Sequence, residues 1–138
     1  MRLWHKDLIP YLPRQQLLGQ WRECCLIAKN IAEKGSPNHI LVNRIMDYPE
    51  SHFNVYALHV YKEMQRRNYK CDWNKFSEWR INKNYDWELK NIFPNWHNER
   101  YLGQCLSNLQ EKYDCGGITE AEWDRTLDIL IGNKKRNG

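Results

Sequence analysis

Hydrophobic positions recur along this chain with helical rather than strand spacing. Between residues 14 and 34, Leu17, Leu18, Trp21, Cys25, Ala28 and Ala32 share one helix face, with Pro13 at the entrance and Gly35 followed by Ser36-Pro37 as the stop. Ser51 is a capable N-cap for a second helix to about Asn68, whose inward stripe is Phe53, Tyr56, Ala57, Val60, Tyr61 and Met64. Lys62, Arg66, Arg67 and Lys70 place cations at its far end, where the helix dipole favours them. A third helix is predicted from Asn98 to about Tyr113, with Tyr101, Leu102, Cys105, Leu106 and Leu109 inward and Gly116-Gly117 breaking it. Thr119-Glu120-Ala121-Glu122 has capping-box spacing for a last helix through Ile131, ended by Gly132.

The intervening stretches carry different signals. Residues 1–12 read as irregular, punctuated by Pro10 and Pro13. Residues 38–50 read as a connection with room for one short helix, and 71–97, rich in Trp, Asn and Lys, as short helices at most. No period-two run of useful length and no internal repeat is present. The expectation is an all-α fold: a compact single domain of three to four main helices over residues 1–132, an N-terminal arm reaching the first long helix, and a basic frayed tail at 133–138.

A length of 138 residues suits one domain with a real core, and seven Trp and eight Tyr supply large apolar area. The net charge of +4 is a mild basic excess, compatible with a nucleic-acid partner without requiring one. No apolar run approaches the ~20 residues needed to span a bilayer. The N-terminus lacks the apolar block of a secretory signal, so a cytoplasmic protein is expected, with no membrane partner. The five cysteines include an adjacent pair and no Cys-x-x-Cys or zinc spacing, which predicts free thiols and no metal site.

Two groups carry candidate chemistry. The chain opens Met1-Arg2-Leu3-Trp4-His5, and a second residue as large as Arg2 should leave Met1 in place with a free α-amine. About twenty residues later the first helix carries Arg22-Glu23. On a helical wheel Glu23 faces away from Trp21, Cys25 and Ala28 and shares its side with Gln16, Gly19, Gln20, Leu26 and Ile27. Gly19 in mid-helix costs on the order of 1 kcal/mol against Ala, which is tolerable if the arm or a ligand lies close; Leu26 and Ile27 would partly dry the carboxylate. Taken by pattern alone, Glu23 also reads as a solvated surface glutamate and Arg22 as an ordinary surface cation.

The opening Met1-Arg2-Leu3-Trp4, then Arg14-Gln15-Gln16-Leu17-Leu18-Gly19-Gln20-Trp21-Arg22-Glu23, resembles the start of the pyrimidine dimer DNA glycosylases of the phage endonuclease V type. Ser51-His52-Phe53 through Arg66-Arg67-Asn68-Tyr69 is similar to that family's second helix, with its His-plus-aromatic entry and basic end. The resemblance covers roughly the first half of the chain. It implies a small all-α DNA repair enzyme, a glycosylase with AP-lyase activity that needs no cofactor and acts as a monomer on double-stranded DNA containing a damaged pyrimidine or an abasic site. The Met1 amine would attack C1′ of the damaged nucleotide, and Glu23 would hold amine and sugar in register and shuttle protons. Arg2 and Arg22 would bind flanking phosphates, and Gln16, His52, Arg66 and Arg67 would contact DNA. The family carries a histidine where Gln16 stands and an arginine near Leu26, so two DNA-facing side chains differ here. Trp4 or His5 would stack near the lesion, with core anchoring the competing role for Trp4.

Two other readings remain at this level: a non-catalytic helical DNA-binding protein on the same scaffold, and a protein-interaction module using the Trp-rich 71–97 segment as its contact surface.

Overall fold

The computed structural model of the protein describes residues 1–81, 86 and 88–137, with side chains described as far as Gly132. Four long helices carry the fold: α1 (Arg14–Lys34), α2 (Glu50–Arg66), α4 (Glu99–Asp114) and α5 (Glu120–Asn137), with the one-turn α3 (Asn74–Ser77) between the second and third of these. Short 3-10 helices at Lys6–Tyr11 and Asn43–Asp47 complete it, and no strand occurs among the described residues.

Local chemistry accounts for most helix ends. Gly35 adopts φ 81°, a left-handed conformation that costs glycine little, and its N–H closes α1 on the Ile31 carbonyl at 2.9 Å. Asn98 caps α4 by accepting from the Tyr101 N–H at 3.0 Å. Thr119 and Glu122 form the reciprocal capping box of α5: Thr119 Oγ1 accepts from the Glu122 N–H at 3.1 Å, and Glu122 accepts from the Thr119 N–H at 3.3 Å.

Two helix ends depart from expectation. The N-cap of α2 is Pro49 rather than Ser51, because the proline's extended ψ of 147° turns the chain into the helix one residue ahead of Glu50, whose charge suits the dipole. The helix ends at Arg66, and Asn68 at φ 62° reverses the chain; the Asn68 N–H reaches Gln65 O and the Tyr69 N–H reaches Met64 O, both at 2.9 Å. At the other end of the chain α5 continues through Gly132 to Asn137. Gly132 does not take the left-handed conformation that a stop requires. It lies against the 3-10 helix, where an added Cβ would sit 3.7 Å from the Tyr11 hydroxyl. The side chains of 133–137, and residue 138 altogether, lie outside the described residues.

The core is built from Leu8, Leu12, Leu17, Ile27, Phe53, Tyr56, Met64, Phe76, Phe93 and Leu109, all fully buried. The inward face of α1 is rotated from the expected one: Leu17, Gln20, Trp21, Cys24, Ile27 and Ala28 are buried, while Ala32 is exposed and Leu18 and Cys25 half-buried. The rotation follows from the helix having several partners: α2, α3 and the N-terminal arm. α2 covers one flank, and the N-terminal arm lies along the other, over Gln20. Among the described aromatic residues of 71–97, Trp73 stacks on Trp21 with ring centroids 6.0 Å apart, Phe76, Phe93 and Trp96 are buried and Trp79 is half-buried; Tyr85 and Trp87 lie outside the described residues. That placement removes the segment's buried aromatics from any external contact surface. All five cysteines are free thiols. No helix among the described residues is long and apolar enough to cross a membrane.

Candidate active site

The arm of residues 1–5 has no secondary structure of its own, so its backbone polar groups need side-chain partners. They find them on three helices and on the connection before α4. Gln20 of α1 accepts from the Trp4 N–H at 2.7 Å and donates to the Arg2 carbonyl at 3.1 Å. Tyr56 of α2 donates to the Trp4 carbonyl at 2.6 Å and lies 2.9 Å from Gln20 Oε1. Tyr101 of α4 donates to the Leu3 carbonyl at 2.6 Å, and the Lys6 N–H reaches His97 Nδ1 at 2.9 Å. Leu3 and Trp4 bury their side chains beneath this clamp.

The clamp reaches back to the Arg2 carbonyl and leads residue 1 into a cleft. Met1, Arg2, Gln16, Gly19, Gln20, Arg22 and Glu23 line a single cleft of about 420 Å³ whose rim also carries Lys112 of α4. Glu23 is its one carboxylate among three cations, and its hydrogen-bonding neighbour is Gln20, whose Nε2 lies 3.4 Å from Glu23 Oε2. Gly19 does not accommodate the arm: the nearest group to an added Cβ is the Arg22 guanidinium at 3.9 Å, so the glycine keeps the cleft wall low. Nor do Leu26 and Ile27 dry the carboxylate, since Ile27 is fully buried in the core and Leu26 is exposed. Gln16 contributes a buried Oε1 without a hydrogen-bond partner in the protein.

The remaining candidates lie elsewhere. His52 is half-buried beside Tyr48 and Phe93, and its Nδ1 accepts from the Phe93 N–H at 3.0 Å, which ties α2 to the segment before α4. Arg66 and Arg67 both bond the buried Glu63; burial raises that carboxyl's pKa, and the two guanidiniums more than offset it, leaving it below the ordinary value. Arg67 also donates to the carbonyls of Leu12 and Pro10, at 2.8 and 3.1 Å. These three residues do not line the Met1 cleft. Trp4 anchors the arm in the core while one edge reaches the cleft, and His5 is buried against His97 with ring centroids 5.3 Å apart, out of reach of a stacking partner in solvent. Among the described residues no group of three His, Cys, Asp or Glu side chains is arranged to hold a metal ion.

Gln20 is the residue that sequence reasoning passed over. The helical wheel set it on the outward side with Glu23, and no local signal marks it: it is buried because the arm covers that side, and a buried amide must find partners.

Fold and site together define an all-α protein with a clamped N-terminal arm and a cationic cleft enclosing one carboxylate. Residues 1–76, just over half of the chain, match the family model described as pyrimidine dimer DNA glycosylase. The chain belongs to that family, a family of DNA glycosylases acting in DNA repair. No curated protein and no solved structure shows a significant match to it.

Proposed function

We propose that this protein is a DNA glycosylase with AP-lyase activity that removes a damaged pyrimidine from duplex DNA, using the Met1 α-amine as nucleophile and Glu23 as proton carrier. The observation that supports the reading most strongly is that Met1, Arg2, Arg22 and Glu23, separated by up to a helix in sequence, line one cleft. The Met1 α-amine is the nucleophile. It attacks C1′, and the N-glycosidic bond breaks with its electron pair leaving on the base, which takes a proton. The ring oxygen then departs to give an iminium, Glu23 removes a 2′-proton, and β-elimination expels the 3′-phosphate. Arg2 and Arg22 hold phosphates on either side of the everted nucleotide, and Gln16 offers its unpartnered oxygen to the substrate. His52, Arg66 and Arg67 act through structure or at more distant phosphates. No metal or organic cofactor takes part.

Borohydride trapping on a duplex with an abasic site tests this directly. Covalent capture is expected, and it should vanish when one residue is added ahead of Met1; intact mass identifies the N-terminal residue in the protein used. DNA binding without capture would overturn the catalytic reading in favour of a helical DNA-binding protein on the same scaffold.

A further inference from the structure

The connection between α1 and α2 ends in an aliphatic tip. Ile40 is 83% exposed and Leu41 51% exposed, side by side at the apex of a turn. An exposed aliphatic residue alone needs no explanation, but this pair sits on a braced base. Asn43 Oδ1 accepts from the His39 N–H at 3.0 Å, and the Val42 and Asn43 N–H groups both return to the His39 carbonyl, at 3.0 and 2.9 Å. His39 Nδ1 accepts from the Leu41 N–H at 3.2 Å, so the side chain of one turn residue holds the backbone of the other. Beneath the tip, Val42 is fully buried and Ile45 nearly so. The two apolar side chains are therefore presented to solvent by a turn that these four hydrogen bonds brace.

Their surroundings identify what they meet. Leu41 lines the Met1–Glu23 cleft, and both Ile40 and Leu41 line an adjoining groove of about 740 Å³. That groove carries Arg2, Arg44 and Arg100 and no carboxylate among its lining residues. Arg44 stands over the Trp96 ring at 5.3 Å, which orients its guanidinium beside the tip. An apolar projection flanked by cations suits a partner with an apolar interior and an anionic edge, and a base stack between two phosphate backbones has that chemistry.

We propose that Ile40 and Leu41 form a wedge that enters the base stack of duplex DNA beside the nucleotide held at Met1, while Arg44 and Arg100 hold the phosphates of the bent backbone. The inference rests on the DNA-lesion reading of the neighbouring cleft but not on its imine chemistry. Inserting aliphatic groups between bases fills the space that an everted nucleotide leaves, and it holds the duplex open long enough for the sugar to reach the amine. The braced turn matters because a mobile loop would lose conformational freedom on insertion.

The test uses a duplex with a tetrahydrofuran abasic analogue, which cannot form an imine, and 2-aminopurine as the adjacent base. Binding of the wild-type protein should raise 2-aminopurine fluorescence several-fold as that base unstacks. The double variant Ile40→Ser/Leu41→Ser changes only exposed side chains and should fold normally. It should lose most of the fluorescence rise and bind this duplex at least about a hundredfold more weakly, the scale set by two aliphatic side chains no longer withdrawn from water. Binding to an undamaged single strand should change by less than threefold. Ile40→Leu should keep the fluorescence response. A serine variant that unstacks the base as fully as wild type overturns the wedge, as does a wild-type complex that leaves the base stacked. If wild type gives the fluorescence rise but no borohydride capture on a natural abasic site, the wedge stands and the catalytic assignment fails.

Discussion

Replacing Gln20 with methionine keeps side-chain length and helix propensity while deleting every hydrogen bond the amide makes. The Trp4 N–H and the Arg2 carbonyl lose the amide partners at 2.7 and 3.1 Å, while the Tyr56 hydroxyl keeps the Trp4 carbonyl at 2.6 Å. A buried group left without a partner costs about 1–3 kcal/mol, so two of them amount to roughly 2–6 kcal/mol if the arm stays docked. Undocking relieves that cost but returns Leu3 and Trp4 to water, at about 1.5–3 kcal/mol for a large apolar side chain. The two routes have similar cost, so part of the population should release the arm. Urea unfolding should therefore show a loss of roughly 2–6 kcal/mol. The more telling measurement is single-turnover borohydride capture at saturating DNA. Misplacing a reacting group by about 1 Å costs on the order of a hundredfold, and capture should slow by at least that factor. DNA affinity should fall by a much smaller factor than capture, because Arg22 stays on α1 and only the Arg2 contact leaves with the arm. A Gln20→Met protein that loses stability yet captures DNA at the wild-type rate would show that the clamp holds the fold and not the amine.

Glu23→Gln should reduce strand cleavage at least a hundredfold while leaving DNA affinity within about threefold; normal cleavage by this variant in a gel assay would remove Glu23 from its proposed role. Arg22→Ala should weaken DNA binding and lower the slope of log affinity against log salt by about 0.9 for the one phosphate lost; an unchanged slope in fluorescence titrations would count against phosphate contact. Burial, reinforced by the charges of His5, Lys6 and Arg44, pushes the His97 pKa from 6.5 down to about 2. The native state thus refuses a proton that the unfolded chain accepts. The stability His97 contributes is complete above pH 6.5 and declines below it, by about 1.4 kcal/mol per pH unit. Urea midpoints measured from pH 7 to 5 should fall accordingly, and His97→Asn, which keeps an acceptor for the Lys6 N–H, should flatten the fall; parallel profiles would place the acid sensitivity elsewhere.

Much of the fold was legible because helix signals are local. The start and stop of α1, the Asn98 cap and the Thr119–Glu122 box depend on residues within a turn of one another, and the periodicity of α2 named its buried stripe correctly at Phe53, Tyr56, Ala57, Val60 and Met64. Gly132 misled because a glycine stops a helix only when the chain takes a left-handed turn there, and the packing of α5 on Tyr11 leaves no such turn. Ser51 misled because a proline two residues earlier had already set the entry angle.

The chain by itself determined that it is helical, that an arginine–glutamate pair rides on the first long helix, and that its first residues resemble a DNA glycosylase. Tertiary structure alone decided which side chains share a cleft. Periodicity describes one helix against one core, whereas α1 is packed against α2, α3 and an extended arm, and only the arm covers Gln20 and leads residue 1 to the cleft that residue 23 also lines. Long-range hydrogen bonds from Gln20, Tyr56 and Tyr101 to an irregular backbone leave no repeating mark in sequence, so the course of the arm could be read only from the folded chain.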